Sequence, residues 1–111
     1  MLWVRTEYKK GVLFVRLVGR IDNEGYLKDI NYLIEEIGIK FTVINITKLN
    51  DITKDNINQI ITNIKLLKKK KHQLFICDEN RLKNKYFIET IPKLNHEIEA
   101  FSLIGRKGAY E

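Results

Sequence analysis

Apolar residues follow two different spacings in the first part of the chain. Residues 2–8 alternate between apolar and polar, which predicts a half-exposed strand with Leu2 and Tyr8 on the same side. Residues 12–18 are almost continuously apolar, with Arg16 as the one interruption, which predicts an interior strand covered on both faces. Only a short segment ending in a glycine separates the two strands, so they are predicted to form an antiparallel hairpin.

Helical spacing then alternates with a further strand-like run. Residues 26–37 carry the first helical pattern, which Asp22 and Asn23 can cap and Gly38 can end. Residues 41–46, FTVINI, predict a buried strand. The clearest amphipathic helix follows, because its apolar residues recur with helical periodicity. These residues are Ile57, Ile60, Ile61, Ile64 and Leu67.

The last third of the chain continues the alternation with shorter elements. A strand, a short helix and a weaker strand are expected, over residues 74–77, 79–87 and 88–91 in that order. Pro92 is expected to end the weaker strand, Asn95 to cap a final helix and Gly105 to close it. The apolar residues of that helix are Ile98, Phe101, Leu103 and Ile104.

The predicted order of elements is therefore β-β-α-β-α-β-α-β-α. Strands that alternate with helices at this spacing indicate an α/β fold, in which right-handed crossovers build a mostly parallel sheet with about four helices. The first strand is the exception, because the hairpin makes it antiparallel. A chain of 111 residues without a repeat or a linker is expected to form a single domain over residues 1–111.

The net charge of +6 comes mostly from the second half of the chain, where Lys65 and the run Lys68–Lys71 are concentrated. Two interpretations remain open for this cluster. The lysines can form a solvated helix end that complements the helix dipole, or a patch for nucleic acid or anionic lipid. No base-stacking aromatic residues interleave with them, and the abundance of Lys, Ile and Asn is typical of an AT-rich genome, so DNA binding is not predicted.

Cysteine and histidine usage bears on compartment and chemistry. No apolar run approaches the roughly 18 to 20 residues that cross a bilayer, and the N-terminus lacks the pattern of a signal peptide. Cys77 is the single cysteine, so no internal disulfide can form and a reducing cytoplasm is expected. Cys77 is predicted to be a buried, inert thiol. His72 and His96 are isolated, so neither a metal site nor a cofactor is predicted.

The loop after the third predicted strand occupies the place where α/β sheets gather ligands and reactive groups. Its sequence over residues 48–57, KLNDITKDNI, contains no Ser, Cys or His. No nucleophile or acid–base pair can be assigned there, so an enzyme is the class that the sequence supports least. Thr53, Asp55 and Asn56 can instead cap the helix that follows.

Several segments, taken in order, resemble the STAS domains, the family of bacterial anti-sigma factor antagonists. VLFVRLVGRID, residues 12–22, is similar to the strand-Gly-x-Leu/Ile-Asp motif of that family. FTVINITKLNDI, the long second helix, QLFIC and IEAFSLI continue the resemblance over roughly residues 3–105. It implies a STAS-like fold and a small non-enzymatic binding domain. Members of the family bind an anti-sigma factor, commonly a histidine-kinase-like ATPase, and thereby release a sigma factor.

The resemblance also implies where the family's switch would fall. The partner kinase phosphorylates a Ser in an Asp-Ser-Ser-Gly turn at the start of the second helix, and the added charge of about −1.5 to −2 disrupts the interface. Counted back from QLFIC, this turn falls on residues 53–56, TKDN, which contain no serine. An antagonist without the phosphoacceptor serine is therefore predicted. Asp55 either caps the helix or stands as a permanent negative charge at the phosphoserine position.

The same resemblance implies a partner-binding surface formed by this turn and the exposed side of the second helix. It comprises Asp51, Thr53, Lys54, Asp55, Asn56, Asn58 and Gln59. On the outward side of the second helix, Asn58, Gln59, Thr62 and Asn63 are uncharged. Such a face is cheaper to desolvate than a charged one and suits a protein interface, but it is equally explained by the asparagine enrichment of an AT-rich genome. Three alternatives stay open: a non-switching scaffold module in a regulatory assembly, a homodimer, and polyanion binding through Lys68–Lys71.

Overall fold

The computed structural model describes residues 1–22, 25–50, 53, 55–56, 73–80 and 92–107. In chain order the elements are β1 (Leu2–Lys9), β2 (Val12–Gly19), α1 (Gly25–Ile37), β3 (Phe41–Leu49), β4 (Gln73–Cys77), β5 (Lys93–Leu94) and α2 (Glu99–Lys107). The helices predicted over residues 57–67 and 79–87 lie largely or wholly outside the described residues.

The five strands of the described residues form one mixed sheet in the order β1-β2-β3-β4-β5. β1 pairs antiparallel with β2, and every later neighbour pairs in parallel. The hairpin turns through Lys10 and Gly11, whose φ angles of 51° and 83° are both positive, as a two-residue turn matched to strand twist requires. The predicted α/β architecture with one antiparallel strand is confirmed.

One face of the sheet, here called the aliphatic face, packs against α1. Among the described residues, its apolar core is formed by leucine, isoleucine and valine side chains, and Thr42 is also buried on this face; the apolar residues are Leu13, Val15, Leu17, Ile30, Ile34, Ile39, Ile44, Ile46, Leu49, Leu74 and Ile76. Alternate residues of β2, β3 and β4 supply most of them, because successive side chains of a strand point to opposite faces. α1 ends as predicted at Gly38, whose N–H donates to the carbonyl of Ile34 at 3.1 Å.

The opposite face, here called the aromatic face, packs against α2. Its buried cluster is Val12, Phe14, Val43, Phe75, Cys77, Leu94 and Ala100, with Phe41, Phe101, Leu103 and Ile104 against it. The rings of Phe14 and Phe101 meet edge to face, 5.5 Å apart. Because β2 contributes to both clusters, the prediction of an interior strand covered on both faces is confirmed.

The structure corrects the predicted ends of several strands. β1 was expected to be half-exposed, but every residue after Leu2 is exposed, because β1 lies at the edge of the described sheet. β3 runs to Leu49, three residues beyond the predicted Ile46. The short strand β5 lies after Pro92, at Lys93–Leu94. The strand candidate over residues 88–91 falls outside the described residues.

The final helix also differs from its prediction. Gly105 lies inside α2 and does not end it. Ile98 was expected on the buried side of this helix but is 73% exposed, because it precedes the first helical residue and lies in the turn before it. The side chain that caps this turn belongs to Glu99, whose carboxylate accepts hydrogen bonds from the backbone N–H groups of Asn95 and His96 at 3.1 and 2.8 Å.

Candidate functional site

The loop predicted as the binding site leaves the carboxyl end of β3, next to the end of β2. The N–H of Asn50 donates to the carbonyl of Gly19 at 2.7 Å, which ties the two strand ends together at the base of the loop. Gly19 has a φ of 101°, and a Cβ there would lie 2.5 Å from the backbone oxygen of Met1. The backbone conformation and the lack of space for a side chain therefore both require glycine at position 19, the glycine of the strand-Gly-x-Leu/Ile-Asp motif.

Three of the seven predicted site residues are described, and all three lie at or near the surface. Thr53 and Asp55 are exposed and Asn56 is half-buried. The Thr53 hydroxyl oxygen accepts a hydrogen bond from the N–H of Asn56 at 3.1 Å, and the backbone at Asp55 and Asn56 is helical. Thr53 therefore caps the start of a helix, as the capping interpretation predicts.

The other four predicted site residues, Asp51, Lys54, Asn58 and Gln59, lie outside the described residues. So do Lys65, Lys68–Lys71 and His72, which leaves the basic cluster a prediction from sequence.

A polar network that sequence reasoning missed lies on the aromatic face, near the carboxyl ends of the strands. Arg16 of β2 makes a two-pronged ion pair with Glu97, with Nε to Oε2 at 2.9 Å and Nη2 to Oε1 at 2.8 Å. The same Nη2 also donates to Glu7 of β1 at 2.9 Å. The network thus connects β1 and β2 to the turn that leads into α2.

Asn45 extends the network to β3. Its amide donates to Oε2 of Glu97 at 2.8 Å, and its side-chain oxygen accepts from the N–H of Thr47 at 2.9 Å. The register between β2 and β3 shifts at this point, so an irregularity in the ladder coincides with the side-chain bond of Asn45. The Thr47 hydroxyl in turn accepts from the N–H of Glu79 at 3.0 Å, just after β4.

The paired charges hold each other in their ionised forms. The hydrogen bonds from Arg16 lower the pKa of Glu97 below its usual value, against the opposing effect of burial. The bonds to Glu97, and secondarily to Glu7, raise the pKa of Arg16. A carboxylate and a guanidinium stabilised in this way are poor proton donors and acceptors near neutral pH, so the pair is suited to fixing structure and not to acid–base chemistry.

The network forms one wall of a cleft of about 220 Å³. The cleft is lined by Arg5, Arg16, Leu17, Val18, Asn45, Thr47, Lys48, Glu79 and Glu97. Cations and carboxylates both face it, so it lacks the single sign of charge that would concentrate one class of charged ligand. Lys48 also places the cleft close to the base of the predicted binding loop.

The described residues offer little else that could react. Cys77 is fully buried, and burial raises its pKa to about 12, so it carries a neutral thiol, as predicted. No group of three or more His, Cys, Asp and Glu side chains in the described ranges is arranged to hold a metal ion. Within those same ranges, no helix is long and apolar enough to span a membrane.

Two signals in the sequence could have revealed part of the network. Arg16 is the one charged residue of the run over residues 12–18, and Asn45 is an amide within the predicted buried run FTVINI; strongly polar side chains in such runs need partners when their strand is covered. Glu97 carries no comparable signal, because nothing in its local sequence indicates that it lies across the sheet from Arg16.

The mixed five-stranded sheet, with its antiparallel first strand and a helix on each face, has the fold that the resemblance to STAS domains predicted. No protein-family model matches the sequence. Among solved structures, the anti-sigma factor antagonist SpoIIAA in its unphosphorylated form is similar, with a TM-score of 0.72. The likeness covers 96% of this chain and 99% of that chain at 13% sequence identity, and it confirms the SpoIIAA-like fold.

Proposed function

We propose that this protein is a regulatory binding domain of the anti-sigma factor antagonist type. It would bind an anti-sigma factor in the bacterial cytoplasm, and so release a sigma factor, without itself catalysing a reaction. The observation that carries the proposal is the fold, which is similar over nearly the whole chain to that of an anti-sigma factor antagonist.

The corner where β3 leads into the capped turn at Thr53 supports the proposed docking surface. Thr53 and Asp55 are exposed, as residues of a docking surface must be. The hydrogen bond from Asn56 to Thr53 restrains the start of the helix before any partner arrives. A surface restrained in advance loses less conformational entropy on binding. The proposed surface consists of Asp51, Thr53, Lys54, Asp55, Asn56, Asn58 and Gln59.

The proposed mechanism is occupancy alone. The partner would be a histidine-kinase-like ATPase, yet residues 53–56 offer it no serine to phosphorylate. The Thr53 hydroxyl already accepts a bond from the backbone of Asn56, which is consistent with a capping role. Binding would therefore be governed by the amounts of the two proteins and not by a phosphate.

A charge reversal at Asp55 tests this surface. Purified Asp55→Arg protein should bind a kinase-like anti-sigma factor from the same genome at least about tenfold more weakly than wild type, because a reversed charge inside an interface leaves its neighbours poorly paired. Binding is measured by calorimetry or surface plasmon resonance. The matched control is Asp29→Arg, which reverses another exposed carboxylate, on α1, and should leave affinity unchanged.

Two results would count against the proposal. If no kinase-like or sigma-regulatory protein binds the wild-type chain, the antagonist function is wrong. If such a partner binds but Asp55→Arg and Asp29→Arg behave alike, the partner uses another surface. A stable larger assembly that contains this chain but leaves sigma factor activity unchanged would instead support the scaffold alternative.

A further inference from the structure

β1 is an edge strand, and no strand among the described residues pairs with its outer side. It lies at one end of the strand order of the described sheet, and its pairing with β2 continues without a bulge from Leu2 to Lys9. It contains no proline, and Trp3 and Tyr8 are 62% and 58% exposed. Long, regular edge strands of this kind are templates for pairing with another strand unless something blocks them.

The hydrogen bonds of the hairpin determine which backbone groups of β1 face the open edge. The N–H of Arg20 donates to the carbonyl of Met1 at 3.1 Å, one step before the pair Leu2–Gly19. Hydrogen-bonded pairs alternate along an antiparallel ladder, so the odd-numbered residues of β1 bond to β2. The N–H and C=O groups of Val4, Thr6 and Tyr8 therefore point away from β2, toward the edge.

We propose that β1 pairs antiparallel with β1 of a second copy of this chain, with Thr6 opposite Thr6 of the partner subunit. In this register the outward-facing residues of the two strands meet one another, which allows about six new backbone hydrogen bonds across the two-fold axis. The sheets of the two subunits become one continuous sheet, and the β1 edge of each subunit is closed.

The side chains select this register. Arg5 lies opposite Glu7 of the partner subunit, so opposite charges pair. The two-fold axis repeats this pair, which gives two such pairs in the dimer. Val4 lies opposite Tyr8 of the partner subunit, and Trp3 lies opposite Lys9 of the partner subunit. Opposite charges, an aromatic ring against a β-branched residue, and threonine against threonine are all favourable cross-strand pairs. A lysine next to a tryptophan adds a cation–π contact.

Neighbouring registers are less favourable. The strands can shift only in steps that keep outward-facing groups opposite one another. The next register in one direction places Arg5 opposite Arg5 of the partner subunit, and the next in the other direction places Glu7 opposite Glu7 of the partner subunit. Both put like charges on the two-fold axis, where they repel. The partner that fits this edge best is thus a second copy in a single register.

Sedimentation velocity over a range of concentrations tests the proposal on the full chain. Wild type should dimerise reversibly. Arg5→Glu and Glu7→Arg each place like charges opposite one another in both symmetric positions, and each should raise the dissociation constant about tenfold or more. Lys28→Glu, a charge reversal at an exposed position of α1, is the matched control and should dimerise like wild type.

Mixing the two edge variants provides the decisive measurement. In the mixed pair the glutamate introduced at position 5 of one chain faces the arginine introduced at position 7 of the other, and the two unchanged residues at these positions also face each other with opposite charges. A heterodimer should therefore form although each variant alone associates weakly. A mixture that does not associate would overturn the proposal.

A proline in β1 tests the backbone pairing separately from the charges. Thr6→Pro removes an outward-facing N–H without removing a bond to β2, and should abolish association while the chain remains folded by circular dichroism. A wild type that stays monomeric, or a dimer insensitive to this change and to the charge reversals, would each overturn the proposal.

Discussion

The two faces of the sheet differ in chemistry, although the same strands supply both. On the aliphatic face, the described apolar side chains packed against α1 are all aliphatic, and Thr42 is buried beside them on β3. On the aromatic face, apolar packing against α2 gives way toward the carboxyl ends of the strands to the ionic network of Arg16, Asn45 and Glu97. The first face can repack among similar side chains, whereas the second depends on specific partners.

This difference separates two sources of stability. Burial on the aliphatic face is non-directional and follows the apolar area removed from water. The network on the aromatic face is directional, and it joins Arg16 to a carboxylate 81 residues away in the chain. Substitutions on the aliphatic face should therefore cost stability in proportion to the volume removed. Substitutions in the network should cost stability according to which partner is left unpaired.

The largest effect is expected from a cavity on the aliphatic face. Ile46 is fully buried there, so Ile46→Ala should lower the free energy of unfolding by about 2–5 kcal/mol, measured by urea denaturation. Ile98→Ala is the control on the other side of the molecule, where the side chain is 73% exposed, and should change stability by less than about 0.5 kcal/mol. Equal losses of unfolding free energy in the two variants would contradict the claim that burial on the aliphatic face is a main source of stability.

A smaller effect is expected from the network. Glu97→Gln keeps the shape of the side chain but removes the charge that faces Arg16, and should lower the free energy of unfolding by roughly 1–2 kcal/mol. Glu7→Gln makes the same chemical change to the more exposed partner of the same arginine and should cost roughly 0–1 kcal/mol. The reverse ranking would mean that Glu97 is not the principal partner.

The same pair has a characteristic pH dependence. Arg16 lowers the pKa of Glu97 in the folded chain, so the contribution of the pair is complete above the unfolded pKa and is lost as the pH falls through the folded one. The stability difference between wild type and Glu97→Gln should therefore be constant above about pH 5 and shrink below it. A difference that grows on acidification would contradict the assigned direction.

The smallest expected change is an increase in the free energy of unfolding. Thr42 is fully buried on the aliphatic-face side of β3, and its hydroxyl has no hydrogen-bond partner among the described residues. Thr42→Val replaces that hydroxyl with a methyl group of similar shape and should raise the free energy of unfolding by roughly 0.5–1.5 kcal/mol. Thr47→Val is the contrasting variant, because the Thr47 hydroxyl accepts a bond from Glu79, and it should be destabilising.

Much of the fold could be predicted from local patterns. The hairpin, the buried strands β2, β3 and β4, and the end of α1 at Gly38 each depend on apolar spacing or on glycine at a turn, which are visible within a short window. The predictions that failed depended on how the elements assemble, which a short stretch of sequence does not show. β1 is exposed because of its place at the sheet edge, and Gly105 stays helical although an isolated glycine is often a helix end.

The candidate site likewise contains one feature that local sequence could predict and one that it could not. Thr53 could be identified as a cap, because a threonine before a helix is a local signal. The ion pair of Arg16 and Glu97 could not, because neither residue indicates its partner until the sheet and α2 are assembled. The docking role of residues 51–59 came from a resemblance to a family, and it stays a prediction.

Release of a sigma factor tests the central claim most directly. A complex of sigma factor and kinase-like anti-sigma factor is titrated with this protein in the presence of ATP, while free sigma factor and the intact mass of this protein are followed. We expect displacement that persists over time with no change in mass. Gain of a phosphate with loss of displacement, or no displacement at any concentration, would contradict an antagonist that acts by occupancy alone.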